Sequence, residues 1–142
     1  VLLSAPDIHG VLIKILFTLV LRAMLCGQDA SSQYFALLAR AQIENPNFEK
    51  GGFLVLGDDG RLRAIYWKES GRLSTSFQGR LPEHCIATMH THPTRDPMPS
   101  LRDRAEGQRL HLPMIVVTPF AVTVAWPDGR VEYLTRTGSF DR

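Results

Sequence analysis

Apolar residues recur along this chain with different periods, and each period predicts a different kind of element. Val11 to Cys26 (VLIKILFTLVLRAMLC) is apolar on nearly every side and predicts a helix. Phe35, Leu37, Leu38 and Ala41 fall near helical spacing. They predict a second helix over about Gln33 to Gln42, capped by Ser31 or Ser32 and stopped by Asn45-Pro46-Asn47. Phe53 to Leu56 and Leu62 to Trp67 read as two strands around Gly57-Asp58-Asp59-Gly60, a hairpin. Lys68 to Arg80 is polar and rich in Gly and Ser, and holds either a short strand near Leu73 to Phe77 or a loop. Cys85 to His92 is a largely apolar strand that ends at Pro93, which has no N–H for a ladder. Ser100 opens a helix to about Leu110. Met114 to Thr118 is continuously apolar, as a central strand is, and Ala121 to Trp126 with Val131 to Leu134 closes a hairpin around Pro127-Asp128-Gly129. This order of elements predicts an α/β layered domain, a mixed sheet with helices packed on it.

The chain has 142 residues, the size of one domain, and no linker or repeat divides it. Residues 1–30 form an N-terminal apolar helical segment, and residues 31–142 carry the rest. An apolar share of 44% is enough for one core. The net charge of +2 and the lack of any Lys/Arg run exclude the dense basic face of a nucleic-acid binder. Two cysteines, Cys26 and Cys85, are too few for a disulfide framework, so a reducing compartment is the default, with a single bridge left open. Lys14 and Arg22 interrupt the first helix and leave only Ile15 to Leu21 free of charge, well short of the ~20 residues that span a bilayer. The expectation is a cytoplasmic protein whose first helix packs on its own domain. The alternatives are docking to a partner subunit or a second copy, and secretion or membrane association through residues 11–26.

The chemistry concentrates in a few residues. His90 and His92 are two apart on a predicted strand, so both imidazoles point to one face and can share one metal. An HxH pair alone is weak evidence. The loop from Pro93 to Pro99 is long enough to fold back, and a helix starting at Ser100 presents Asp103 in its first turn as a third ligand. Two imidazoles and one carboxylate leave a tetrahedral zinc with one position open for water, as in catalytic sites. Zinc lowers the pKa of that water to about 7. Ser100 and Asp103 also make an S-x-x-D pattern close to a capping box, a role compatible with ligation. The general base must come from another element. Glu49 is the choice, just before Gly51-Gly52 and an apolar strand, where the two glycines allow close approach as at a substrate groove. Glu44 competes as the base and Asp96 as a ligand. His9, His84 and His111 have no ligand spacing.

Together, Glu49, His90-Thr91-His92-Pro93 and Ser100-Leu101-Arg102-Asp103 resemble the JAMM (MPN+ or JAB) metalloprotease motif: an upstream glutamate, HxHP, then S-x-x-D after a short loop. Glu49-Lys50-Gly51-Gly52 also looks like that family's E-x-x-G segment. The resemblance covers about Ser32 to Leu134. It implies a fold similar to cytidine deaminases, with a curved mixed sheet flanked by helices. It implies one zinc held by His90, His92, Asp103 and a catalytic water, with Glu49 as general acid/base and Ser100 stabilising the oxyanion. The short chain looks like compact prokaryotic members. Some of those are isopeptidases, similar to deubiquitinases, that cleave after the C-terminal tail of a ubiquitin-like protein, either a conjugate or a precursor. The same resemblance leaves two alternatives: an inactive MPN-type scaffold, and a peptidase with an unrelated substrate.

Overall fold

The computed structural model describes residues 7–44, 47–68 and 80–136. Among them the chain is α/β, with three helices and a six-stranded mixed sheet. The elements in order are α1 (Ile8–Cys26), α2 (Gln28–Glu44), β1 (Gly51–Leu56), β2 (Leu62–Tyr66), β3 (Cys85–Thr91), α3 (Leu101–Leu110), β4 (Met114–Val117), β5 (Ala121–Ala125) and β6 (Val131–Arg136). The sheet order is β2-β1-β3-β4-β5-β6. Only β3 and β4 pair in parallel, joined by the crossover that contains α3. Each strand placed from the pattern within the described residues is present, and β4 lies inside the sheet as expected. The segment near Leu73 to Phe77 lies outside the described residues.

Strand alternation sorts the core into two sides. Leu54, Ala87, Met89, Ile115, Val117, Val122 and Val124 face a cluster completed by Tyr34 and Leu37 of α2. The intervening residues, Thr88, His90, Met114, Val116 and Thr123, are also buried. They lie on the side of α3, whose Gly107 sits so close that an added Cβ would be 3.4 Å from the Met114 Cβ and 3.1 Å from the Leu112 carbonyl. β4 is apolar throughout because both its faces are covered.

The two N-terminal helices correct the sequence reading. α2 begins at Gln28, not near Gln33, so Ser31 and Ser32 lie within it and do not cap it. Gly27 breaks the chain in an extended conformation, and its carbonyl accepts from the Ser31 N–H at 3.0 Å as the first bond of α2. The buried stripe is Ala30, Tyr34, Leu37 and Ala41, whereas Phe35 points to solvent. α1 is not a buried helix. Leu21 and Leu25 are its buried residues, and its large apolar residues from Ile8 to Val20 are exposed. The sheet face on that side is already taken by α2, which leaves α1 only α2 and the margin at β6 to lean on. By length and composition α1 is long and apolar enough to cross a membrane. Cys26 and Cys85 are both free thiols.

Candidate metal centre

Three separate pieces of chain meet at the carboxyl end of β3. Pro93 follows His92 directly, and β3 ends at Thr91. Arg95 then adopts a left-handed conformation (φ 64°) while its N–H donates to the His92 carbonyl at 3.0 Å, so the chain doubles back at once. The second piece is the approach to β1. Gly51 pairs with His90 in antiparallel register. The Thr91 N–H donates to the Lys50 carbonyl at 2.8 Å, and the Lys50 N–H donates to Thr91 Oγ1 at 3.0 Å. These bonds extend the register and bring Glu49 opposite His92. The third piece is the start of α3. Ser100 is its N-cap, with a complete capping box. Ser100 Oγ accepts from the Asp103 N–H at 3.0 Å, and Asp103 Oδ2 accepts from the Ser100 N–H at 2.8 Å. Capping and site geometry therefore use the same carboxylate.

The side chains converge. His90 Nε2 and His92 Nε2 are 3.1 Å apart. Asp103 Oδ1 lies 3.2 Å from His90 Nε2, and Oδ2 lies 3.1 Å from His92 Nε2. One carboxylate oxygen of Glu49 and one ring nitrogen from each histidine lie within 4.8 Å of one another. His90 and Asp103 are almost completely buried. Glu49 Oε2 is buried with no hydrogen-bond partner among the described residues.

Tautomer logic tests whether a cation fits. His92 Nδ1 lies 2.7 Å from the Asp96 carbonyl oxygen, which can only accept, so Nδ1 carries the proton. A neutral His92 then aims the lone pair of Nε2 at a carboxylate oxygen 3.1 Å away, a contact between two acceptors. A proton or a cation must sit among these atoms. Zinc bonds of 2.0–2.1 Å give tetrahedron edges of about 3.3–3.4 Å. The separation of the two imidazole nitrogens, 3.1 Å, is close to that, and each nitrogen has its own Asp103 oxygen at 3.1 to 3.2 Å. The donor set of two imidazole nitrogens and a carboxylate also suits zinc. These residues fit a divalent cation. The Asp96 carbonyl orients His92 as outer-sphere partners of metal-bound histidines do. His90 Nδ1 has no such partner among the described residues.

The electrostatics of the metal-free site follow the same geometry. Burial opposes the Asp103 charge, but hydrogen bonds with His90 and His92 outweigh it and hold the carboxyl well below its usual range. Burial likewise opposes charging of His92, and its bonds to Asp103 and to the Asp96 carbonyl overcome that and raise its pKa. Burial pushes the Glu49 carboxyl up. A carboxylate lifted toward neutrality beside a cluster of imidazoles is suited to taking and returning a proton.

The structure brings together Glu49, His90, His92, Ser100 and Asp103. The competitors lie elsewhere. Glu44 is engaged with Lys50 at 2.5 Å and Arg40 at 3.0 Å at the surface. The Asp96 carboxylate accepts from the Met98 N–H at 3.0 Å, and only its main-chain carbonyl reaches His92. His84 and His111 are exposed, both in left-handed backbone. The glycines differ from expectation: they do not line a groove. A Cβ on Gly51 would lie 2.3 Å from Trp67 Cζ3 and 2.7 Å from the Met89 carbonyl oxygen, and one on Gly52 would strike the Ile65 carbonyl at 2.6 Å. Gly51 lets the Trp67 indole lie over the start of β1 and stack on His90, with centroids 6.5 Å apart and planes 20° from parallel. Sequence reasoning missed Trp67. Its one signal was an aromatic ending a strand whose partner begins with two glycines. A cleft of about 170 Å³ is lined by His92 together with Ala41 and Leu38 of α2 and Pro93, Arg95 and Pro119. The chain matches no protein-family model, and no curated protein matches it.

Proposed function

We propose that the chain is a zinc-dependent peptidase or isopeptidase of the JAMM type, with His90, His92 and Asp103 as ligands and Glu49 as general acid/base. The observation that carries the reading is the convergence of two histidine nitrogens and one carboxylate on a point that needs a positive charge, with an unpartnered glutamate beside it. The mixed sheet with helices on both faces suits the cytidine-deaminase-like fold that this reading implies. When bound, zinc supplies Lewis acidity toward a carbonyl oxygen and toward water. Glu49 takes a proton from the attacking water and returns it to the leaving amine as the amide C–N bond breaks, leaving a carboxylate and an amine. The Ser100 hydroxyl accepts from the Asp103 N–H, keeps its own proton, and donates it as a hydrogen bond to the developing oxyanion. The Asp96 carbonyl holds the His92 ring, and Trp67 holds the His90 ring.

The proposed substrate is the extended C-terminal tail of a ubiquitin-like protein, released from a conjugate or a precursor. It follows from the motif resemblance. In this reading the tail approaches by the cleft that His92 lines. The test pairs elemental analysis with cleavage of a fusion carrying a ubiquitin-like tail. About one zinc per chain, lost in Asp103→Ala, with cleavage abolished by Glu49→Gln, is expected. Zinc binding without cleavage of any fusion, conjugate or unfolded peptide would leave a scaffold as the better account. Cleavage of unfolded peptides alone would make the substrate unrelated to ubiquitin-like tails.

A further inference from the structure

The first helix turns its apolar residues outward. Nine large apolar side chains between Ile8 and Val20 are each 49% to 68% exposed. At 100° per residue, Ile15, Leu19, Leu12, Leu16, Ile13 and Phe17 sweep an arc of about 200°. Lys14, Thr18 and Arg22 recur four apart on the opposite side. That side looks toward the chain's own β5–β6 hairpin: Lys14 and Thr18, with Ile13 and Phe17 at the edge of the arc, share a cleft with Trp126 and Asp128, and Arg22 pairs with Glu132 at 3.2 Å. The usual arrangement, apolar face in and polar face out, is inverted. The exposed apolar area is on the order of 1,000 Å², beyond the few hundred Å² that soluble monomers leave open.

We infer that α1 docks on a lipid bilayer, lying along it with the outward face in the interfacial region. Two observations favour lipid over protein. A neighbouring helix covers an arc of roughly 100°, about half of the one exposed. A protein interface carries about one hydrogen bond per 100–200 Å², and from Val11 to Val20 this arc offers only aliphatic side chains and one Phe, with His9 as the single polar side chain near its N-terminal end. A bilayer needs no such partners. No Asp or Glu lies between Ile8 and Cys26 to oppose an approach to lipid, and the helix has the length and apolar composition of a bilayer-crossing one. The helix lies along the surface because its C-terminal half is fastened to the domain. Leu21 and Leu25 are buried in the common core, and the buried Tyr34 hydroxyl donates to the Leu25 carbonyl at 2.9 Å. The same contacts make residues 21–25 part of the fold. This inference stands apart from the metal centre.

The test is flotation of the full chain with vesicles of phosphatidylcholine and phosphatidylglycerol, beside the variant Leu12→Glu/Leu16→Glu/Leu19→Glu. Those three side chains are 56%, 62% and 59% exposed, so the variant is expected to keep its circular dichroism. Wild type floats with the vesicles, and the variant partitions on the order of 1,000-fold less, about tenfold for each leucine. The same triple in Gln floats as poorly, which ties binding to apolar area and not to added negative charge. Wild type that stays in the soluble fraction overturns the inference. So does a lipid-free dimer that the triple substitution dissolves while vesicles capture neither protein. So does membrane-bound protein from expressing cells whose intact mass lacks residues 8–26, because the helix would then be a removed leader.

Discussion

Asp103→Asn separates the two tasks of one carboxylate. In the metal-free protein Asp103 Oδ2 accepts from the Ser100 N–H at 2.8 Å, and both oxygens lie 3.1 to 3.2 Å from imidazole nitrogens. An asparagine oxygen can still accept from Ser100, so the helix cap survives. Loss of the charge removes favourable bonds to the histidines and also removes a buried charge, so the terms oppose. The metal-free change is expected to stay within about 2 kcal/mol. At about 4 °C per kcal/mol for a chain of this size, that is at most about 8 °C in Tm. Zinc responds differently. At a free concentration about 100 times Kd it stabilises the native state by about 2.7 kcal/mol, or about 11 °C. Losing the anionic ligand should weaken binding at least as much as losing an outer-sphere partner, about 100-fold. The same zinc concentration is then no higher than about Kd, which leaves about 0.4 kcal/mol, or roughly 2 °C. Thermal melts of both proteins, with chelator and with zinc, read each term separately. A variant whose zinc-induced rise matches that of wild type would refute the assignment of Asp103 as a ligand, whatever its metal-free Tm.

Glu49→Gln keeps size and burial and removes the base. It should retain about one zinc per chain while hydrolysis falls by about 10²-fold to 10⁴-fold, measured by elemental analysis and single-turnover cleavage. Loss of zinc would instead make Glu49 a ligand, as its place within 4.8 Å of the histidine nitrogens would permit. Gly51→Ala forces a Cβ against Trp67 and the Met89 carbonyl, so urea melts should show a loss of about 1–3 kcal/mol, and an unchanged midpoint would refute the packing account. The metal-free protein should be more stable near pH 5 than near pH 8, at about constant ionic strength. His92, raised from 6.5, contributes stability that is present below 6.5 and lost as pH climbs through its folded pKa. Glu49, raised from 4.5, also withdraws stability as pH rises past 4.5. Asp103, lowered from 3.8, contributes stability that is present above 3.8 and lost on stronger acidification. With zinc the order should reverse, since ligation needs unprotonated imidazoles. Metal-free stability that rises from pH 5 to pH 8 would contradict the site electrostatics.

Much of the architecture was written in local pattern. Strand period, the Pro93 stop, the Pro127-Asp128-Gly129 turn and the Ser100 cap act over a few residues, so β3 to β6 and α3 appeared close to where they were expected. That His90, His92, Ser100 and Asp103 were candidates was legible for a related reason: imidazole, carboxylate and hydroxyl at HxHP and S-x-x-D spacing act over short stretches of chain. What the sequence could not specify was distance between segments. The antiparallel register of Gly51 with His90 carries Glu49 to His92, and nothing within residues 44–52 encodes that pairing alone. The role of the Asp96 main-chain carbonyl could not be read either, because a backbone atom has no residue type. Gly51 and Gly52 announced a close approach, but only packing showed that the neighbours are Trp67, over His90, for Gly51 and the β2 backbone at Ile65 for Gly52. The outward face of α1 was hidden for the same reason. Apolar composition states that a surface should leave water, and only the tertiary structure shows that α2 already occupies the sheet face where α1 could have gone. The sequence by itself determined most of the elements and the candidate ligands they carry, since both depend on near neighbours. Which segments touch, and which apolar face is left over, was decided by the competition of distant segments for one sheet.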